Sequence, residues 1–106
     1  MIASTPKPPY YAVIFTSVRT QFEDNYKETA RKMEEIATLQ EGFLGIESAR
    51  NELGITVSYW KDLDSIKNWK ENTAHKLAQM KGKQDWYKTF KTRISKVERD
   101  YCFEKE

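Results

Sequence analysis

The run Tyr10-Tyr11-Ala12-Val13-Ile14-Phe15-Thr16-Ser17-Val18 constrains this chain more than any other stretch. It is rich in aromatic and β-branched residues, so it reads as a strand. Side chains alternate between the two faces of a strand, which puts Tyr11, Val13 and Phe15 on one side and Ala12 and Ile14 on the other. Both sides are apolar. Such a strand belongs inside a sheet whose two faces are both covered, because an apolar face left in water is an aggregation-prone patch.

The remaining elements follow from periodicity. Phe22, Tyr26, Ala30, Met33, Ile36 and Ala37 recur at three- and four-residue steps with charged residues between them, which predicts an amphipathic helix between Phe22 and Leu39. Asn25 with Glu28, or Thr20 with Glu23, supplies a capping box, and Glu41-Gly42 ends the helix. Phe43 to Arg50 and Ile55 to Trp60 read as two strands joined by Asn51-Glu52-Leu53-Gly54, with glycine where a left-handed residue is often needed. A second helical region carries Leu63, Ile66 and Trp69 on one face, with Asp62 or Asp64 as cap. Asn72 or Thr73 caps a further turn holding Ala74, Leu77 and Ala78, and Gly82 closes it. Trp86, Tyr87 and Phe90 lead into a last strand in which Val97, Tyr101 and Phe103 alternate with Lys96, Glu98, Asp100 and Cys102.

Strand, helix, strand, strand, helix, strand is the ferredoxin-like βαββαβ order: an α+β fold with a four-stranded antiparallel sheet and helices on one face. Residues 1–9, with three prolines, form an extended N-terminal arm, and residues 10–106 form a single domain. The helices cover one face of the first strand. A second copy of the chain, packed sheet against sheet as a homodimer, covers the other; the alternative is that the arm covers Tyr10, Ala12 and Ile14.

Composition excludes several functions. With 18 basic and 16 acidic side chains the net charge is +2, too even to predict binding to nucleic acid or anionic lipid. An RNA-recognition module shares the element order but needs stacking aromatics on its third strand. Leu53-Gly54-Ile55-Thr56-Val57 has none at those places, and Tyr59 and Trp60 come too late. No run of 18 apolar residues predicts a membrane span, and the arm lacks the apolar core of a signal peptide. The one cysteine, Cys102, has no partner for an intrachain disulfide, which agrees with a reducing compartment, so the expected location is the cytoplasm. There is no GxGxxG after a strand, no phosphate loop, and no second histidine to build a metal site around His75 and Cys102. No cofactor is expected.

The segment from Gly54 to His75 carries two indoles and the only imidazole across a strand-to-helix junction. Together with the Gly42-Phe43-Leu44-Gly45 turn, Tyr59-Trp60, Trp69, His75, and Gly82 followed by Trp86-Tyr87, it resembles the antibiotic biosynthesis monooxygenase (ABM) domain family of the dimeric α/β barrel superfamily. The match is to a bacterial subgroup most of whose members have no assigned substrate, and it covers roughly Tyr10 to Phe103. The resemblance implies a dimer and an oxygenase whose substrate, a quinol or polyphenol, supplies the electrons. The protein would provide an apolar pocket, donors for the substrate oxygens, and a base. Trp69 and His75 are the candidates for donor and base, and Tyr59 or Trp60, Trp86 and Tyr87 for the wall. Arg93 could steady an anionic substrate. Haem-degrading relatives use an Asn on the first strand, where this chain has Ile14, Phe15, Thr16 and Ser17. They also place their histidine farther from the Trp, nearer Gln79, which sets the haem reading below the quinol one. A dimeric module that binds a small aromatic molecule without catalysis is the other alternative.

Overall fold

A computed structural model describes residues 2–106; Met1 and the side chain of Thr73, the second candidate for the inner cap, lie outside the described residues. The elements are β1 (Tyr10–Arg19), α1 (Tyr26–Thr38), β2 (Phe43–Arg50), β3 (Leu53–Trp60), α2 (Leu63–Glu71), α3 (Thr73–Lys81), a π-helical turn (Gly82–Trp86) and β4 (Tyr87–Val97). The strands form one antiparallel sheet in the order β2-β3-β1-β4, with β1 central as its two apolar faces require. This is the ferredoxin-like α+β fold.

Register assigns the two faces. Tyr11, Val13, Phe15 and Ser17 lie opposite Trp60, Ser58, Thr56 and Gly54 on β3, and Val13 and Ser17 lie opposite Ile94 and Phe90 on β4. These residues face the helices, since Trp60 stacks on Trp69 of α2. The helices lean toward one half of this face: α1 packs on β2 and α2 on β3, leaving Ile94 of β4 54% exposed.

On the opposite face, Ala12, Ile14, Thr16 and Val18 pair with Tyr59, Val57, Ile55 and Leu53. The arm covers one half of it. The Ala3 N–H donates to the Glu47 carboxylate at 2.8 Å, the Ala3 side chain lies on Gly45, and the Thr5 hydroxyl donates to the Tyr10 hydroxyl at 3.0 Å. Tyr10 and Ala12, on this half, are buried, and the Tyr10 hydroxyl donates to Asp100 of the C-terminal segment. Ile14 is only half-buried, and Ile55 (42%) and Leu53 (51%) stand exposed on the other half.

Four local expectations are corrected. Asn25 makes no side-chain cap; its backbone sits in the left-handed region at φ 59°, and α1 begins at Tyr26, not Phe22. The hairpin turns at Asn51-Glu52, where the Asn51 N–H bonds the Leu53 carbonyl, so Leu53 and Gly54 already belong to β3. Gly82 continues the helical path into the π turn instead of stopping it. β4 ends at Val97, and Tyr101 and Phe103 lie beyond the sheet, exposed, because no strand pairs with that segment.

Candidate functional site

Two caps bring an indole and an imidazole together. Asp62 closes the first turn of α2, its carboxylate accepting the Ser65 N–H at 2.8 Å, and α2 then presents Ile66 and Trp69 to the sheet. The helix breaks at Asn72, whose side-chain oxygen accepts the His75 N–H at 3.2 Å and starts α3. That break folds His75 back onto Trp69. Their rings lie 4.4 Å apart and 9° from parallel, and Trp69 also stacks on Trp60 at 6.2 Å and 25°.

Hydrogen bonds give the members of this stack different capacities. The Trp60 N–H is spent on Ser58 at 2.9 Å and the Trp86 N–H on the Asp24 carbonyl at 3.1 Å. The Trp69 N–H makes no hydrogen bond among the described residues and remains available as a donor. His75 Nδ1 lies 3.0 Å from the Trp69 carbonyl oxygen. A carbonyl can only accept, so Nδ1 carries the hydrogen and Nε2 is left with a lone pair. Burial lowers the His75 pKa below its usual value, against the smaller opposing effect of that hydrogen bond. The imidazole is therefore neutral at physiological pH and presents an acceptor at Nε2, the state a general base requires.

The other expected wall residues divide. Tyr87 lies on the helix face, packed edge-on against Phe15 at 5.4 Å and Phe90 at 5.9 Å, with its hydroxyl 3.4 Å from that of Tyr26. Burial, then the contact with Tyr26, pushes its pKa well above that of an ordinary phenol. Trp60 is fully buried, so it backs Trp69 and cannot touch a ligand; Trp86, 4% exposed with its N–H spent, is packing beside Tyr26. Tyr59 and Arg93 point to the opposite face. Tyr59 donates to Glu47 at 2.7 Å, and burial, followed by that carboxylate, pushes its pKa up to about 12. Arg93 lies across from Ile14 beside a shallow depression of about 160 Å³. The expected wall residues thus divide: Tyr87 shares the helix face with Trp69 and His75 but lies opposite Arg19, at the other end of β1 from Trp60, and the others do other work.

Sequence reading missed Arg50, Ser17 and Tyr26. Arg50 reaches over Gly54 to donate to the Ser17 hydroxyl, and Arg19 lies on the Tyr26 ring, 3.3 Å from its centre.

Among the described residues no helix is long and apolar enough to cross a membrane, and no three His, Cys, Asp or Glu side chains group as metal ligands. The sequence profile of the family described as "Antibiotic biosynthesis monooxygenase" matches residues 9–81. The uncharacterized protein YqjZ of Bacillus subtilis is 46% identical over 105 residues, covering 97% of this chain and 92% of that one. Two crystal structures share the fold at low identity. SnoaB, a cofactor-independent oxygenase from Streptomyces nogalater, superposes with a TM-score of 0.75 at 10% identity, over 90% of this chain and 98% of that one. PA3566 from Pseudomonas aeruginosa gives 0.71 at 13% identity, over 91% and 99%. With the family profile spanning β1 to α3 and so including both Trp69 and His75, the chain belongs to the antibiotic biosynthesis monooxygenase family.

Proposed function

We propose that the protein is a cofactor-independent monooxygenase acting on a small aromatic quinol or polyphenol, and that the Trp69–His75 pair is its reacting end. The observation that carries the reading is the pairing itself: a neutral imidazole with an Nε2 lone pair, stacked on the one indole whose N–H makes no hydrogen bond among the described residues. His75 takes the phenol proton, giving an anion electron-rich enough to reduce oxygen. A ring carbon bonds to one oxygen atom, the O–O bond breaks, and the second atom leaves as water with the ring hydrogen and the phenol proton. A phenol and O₂ become a quinone and water, so the electrons come from the substrate. The Trp69 N–H holds a substrate oxygen in place.

The family is one of small dimeric proteins, and the half of the helix-free face left open by the arm is where a second copy would pack. Oxygen uptake with a panel of naphthols and quinols tests the reading. His75→Ala should abolish turnover while leaving binding nearly intact. Trp69→Phe should keep the fold and weaken binding by about 0.5–1.5 kcal/mol, the worth of one hydrogen bond. Ligand binding with no oxygen consumption for any substrate would favour a non-catalytic binding module.

A further inference from the structure

The helix face of the sheet has a second end. From Tyr11, beside Trp60, to Ser17 the sheet runs roughly 20 Å at ~3.3 Å per residue, and Ser17 is 1% exposed. Gly54 stands opposite Ser17 on β3, and Arg50 opposite Gly54 on β2. A Cβ at Gly54 would run into the Arg50 guanidinium. Glycine leaves open the space through which the guanidinium crosses β3 to donate to the Ser17 hydroxyl and, at 3.4 Å, to the Ser17 carbonyl.

Two arginines approach this end, and only one is spent. Arg19 donates to the carbonyls of Trp86 at 3.1 Å and Phe22 at 2.7 Å, and lies 3.6 Å from Glu23. Arg50 joins no ion pair among the described residues, is exposed, and keeps three of its five N–H donors beyond the two given to Ser17. Tyr26, under the Arg19 guanidinium, accepts from Tyr87 and retains its own hydroxyl proton to give. Both Arg50 and Arg19 act electrostatically on Tyr87. Phe15 and Phe90, 5.3 Å apart, and Tyr87 supply flat apolar walls.

We infer that Arg50, held over Gly54 against Ser17, binds the carboxylate of an aromatic acid whose ring lies along Phe15 and Phe90. A planar guanidinium with spare donors matches a carboxylate's two oxygens, and the neighbouring rings match an aromatic plane. The inference rests on the reading of the protein as a binder of small aromatic molecules, and it places the acid group at the end of the helix face away from the Trp69–His75 pair. It adds that those ligands carry an acid group.

The test compares 6-hydroxy-2-naphthoate with 2-naphthol, the same ring and hydroxyl without the acid, by fluorescence anisotropy of each ligand with the full chain. The naphthoate should bind about tenfold more tightly, a difference of about 1.4 kcal/mol. Arg50→Gln should bring the two probes within about twofold, and Arg50→Lys should retain part of the preference. Gly54→Ala keeps the charge but displaces the guanidinium, so it should also lose the preference, with thermal unfolding confirming that each variant is folded. Equal binding of both probes to the wild type, no binding of the naphthoate, or a preference that survives in Arg50→Gln would overturn the assignment. Because oxygen uptake is not the readout, a protein that prefers the naphthoate yet oxidises no quinol loses the monooxygenase reading and keeps this site.

Discussion

His75 shows how one side chain links stability to chemistry. Its folded pKa is depressed below the reference value of 6.5, chiefly by burial. Between the two values the unfolded chain holds more protons than the folded one, so stability rises with pH across that window. The contribution from neutral His75 is complete above about pH 6.5, the ordinary imidazole value, and is lost progressively as pH falls toward the folded value. Glu47, held below its usual pKa first by Tyr59 and then by the Ala3 N–H, loses stability in the same direction at lower pH. His75→Phe separates the two, since it keeps a ring on Trp69 and removes the titration. The urea midpoint of the wild type minus that of His75→Phe should fall as pH drops from 7.5 to 5.5, whereas a constant difference would mean that His75 titrates equally in both states.

At the scale of elements, the break at Asn72 matters most, because it separates α2 from α3 and turns His75 onto Trp69. Asn72→Ala should cost about 1 kcal/mol through the lost cap and should also loosen the imidazole's position. In thermal melts it lowers the midpoint by a few degrees. In turnover it costs more than an exposed-surface control such as Lys67→Ala, and equal activity of the two variants would uncouple the cap from the site. This break was legible in the sequence, since Asn before a short apolar period is a helix-start signal, and so was the order of strands and helices. The facing of individual residues was not. Adjacent strand residues point to opposite faces, so Tyr59 and Trp60 could not both line one pocket, and only the register tells which one turns to the helices. Arg50 was invisible for a related reason: its contact with Ser17 spans two strand pairings, and nothing in the local sequence fixes either. The end of β4 was misplaced because alternation persists past Val97 into a segment with no neighbouring strand.

The whole molecule presents a sheet covered unequally on its two faces, and that asymmetry predicts assembly. On the helix-free face the arm is pinned by Glu47 and Tyr10, and Tyr10 and Ala12 are buried within the single chain, so the chain satisfies half of that face by itself. Ile14, Val57, Ile55 and Leu53 on the other half gain further burial only from a partner. A two-fold pairing of these patches would bury them on both copies at once. Ile55 is the residue with which to test it, because at 42% exposure in the single chain a charge there is tolerated by the fold but not by an interface. Ile55→Lys should convert a dimer to a folded monomer, since leaving an unpaired ammonium in an apolar contact costs several kcal/mol. Ala12→Glu should behave differently: Ala12 is already buried within the single chain, so the carboxylate would destabilise the chain with or without a partner. Light scattering at micromolar concentration, alongside circular dichroism of both variants, reads the two effects separately. A wild type that is monomeric under those conditions would leave the open half of the sheet without a second copy to cover it, and the dimer would have to be abandoned.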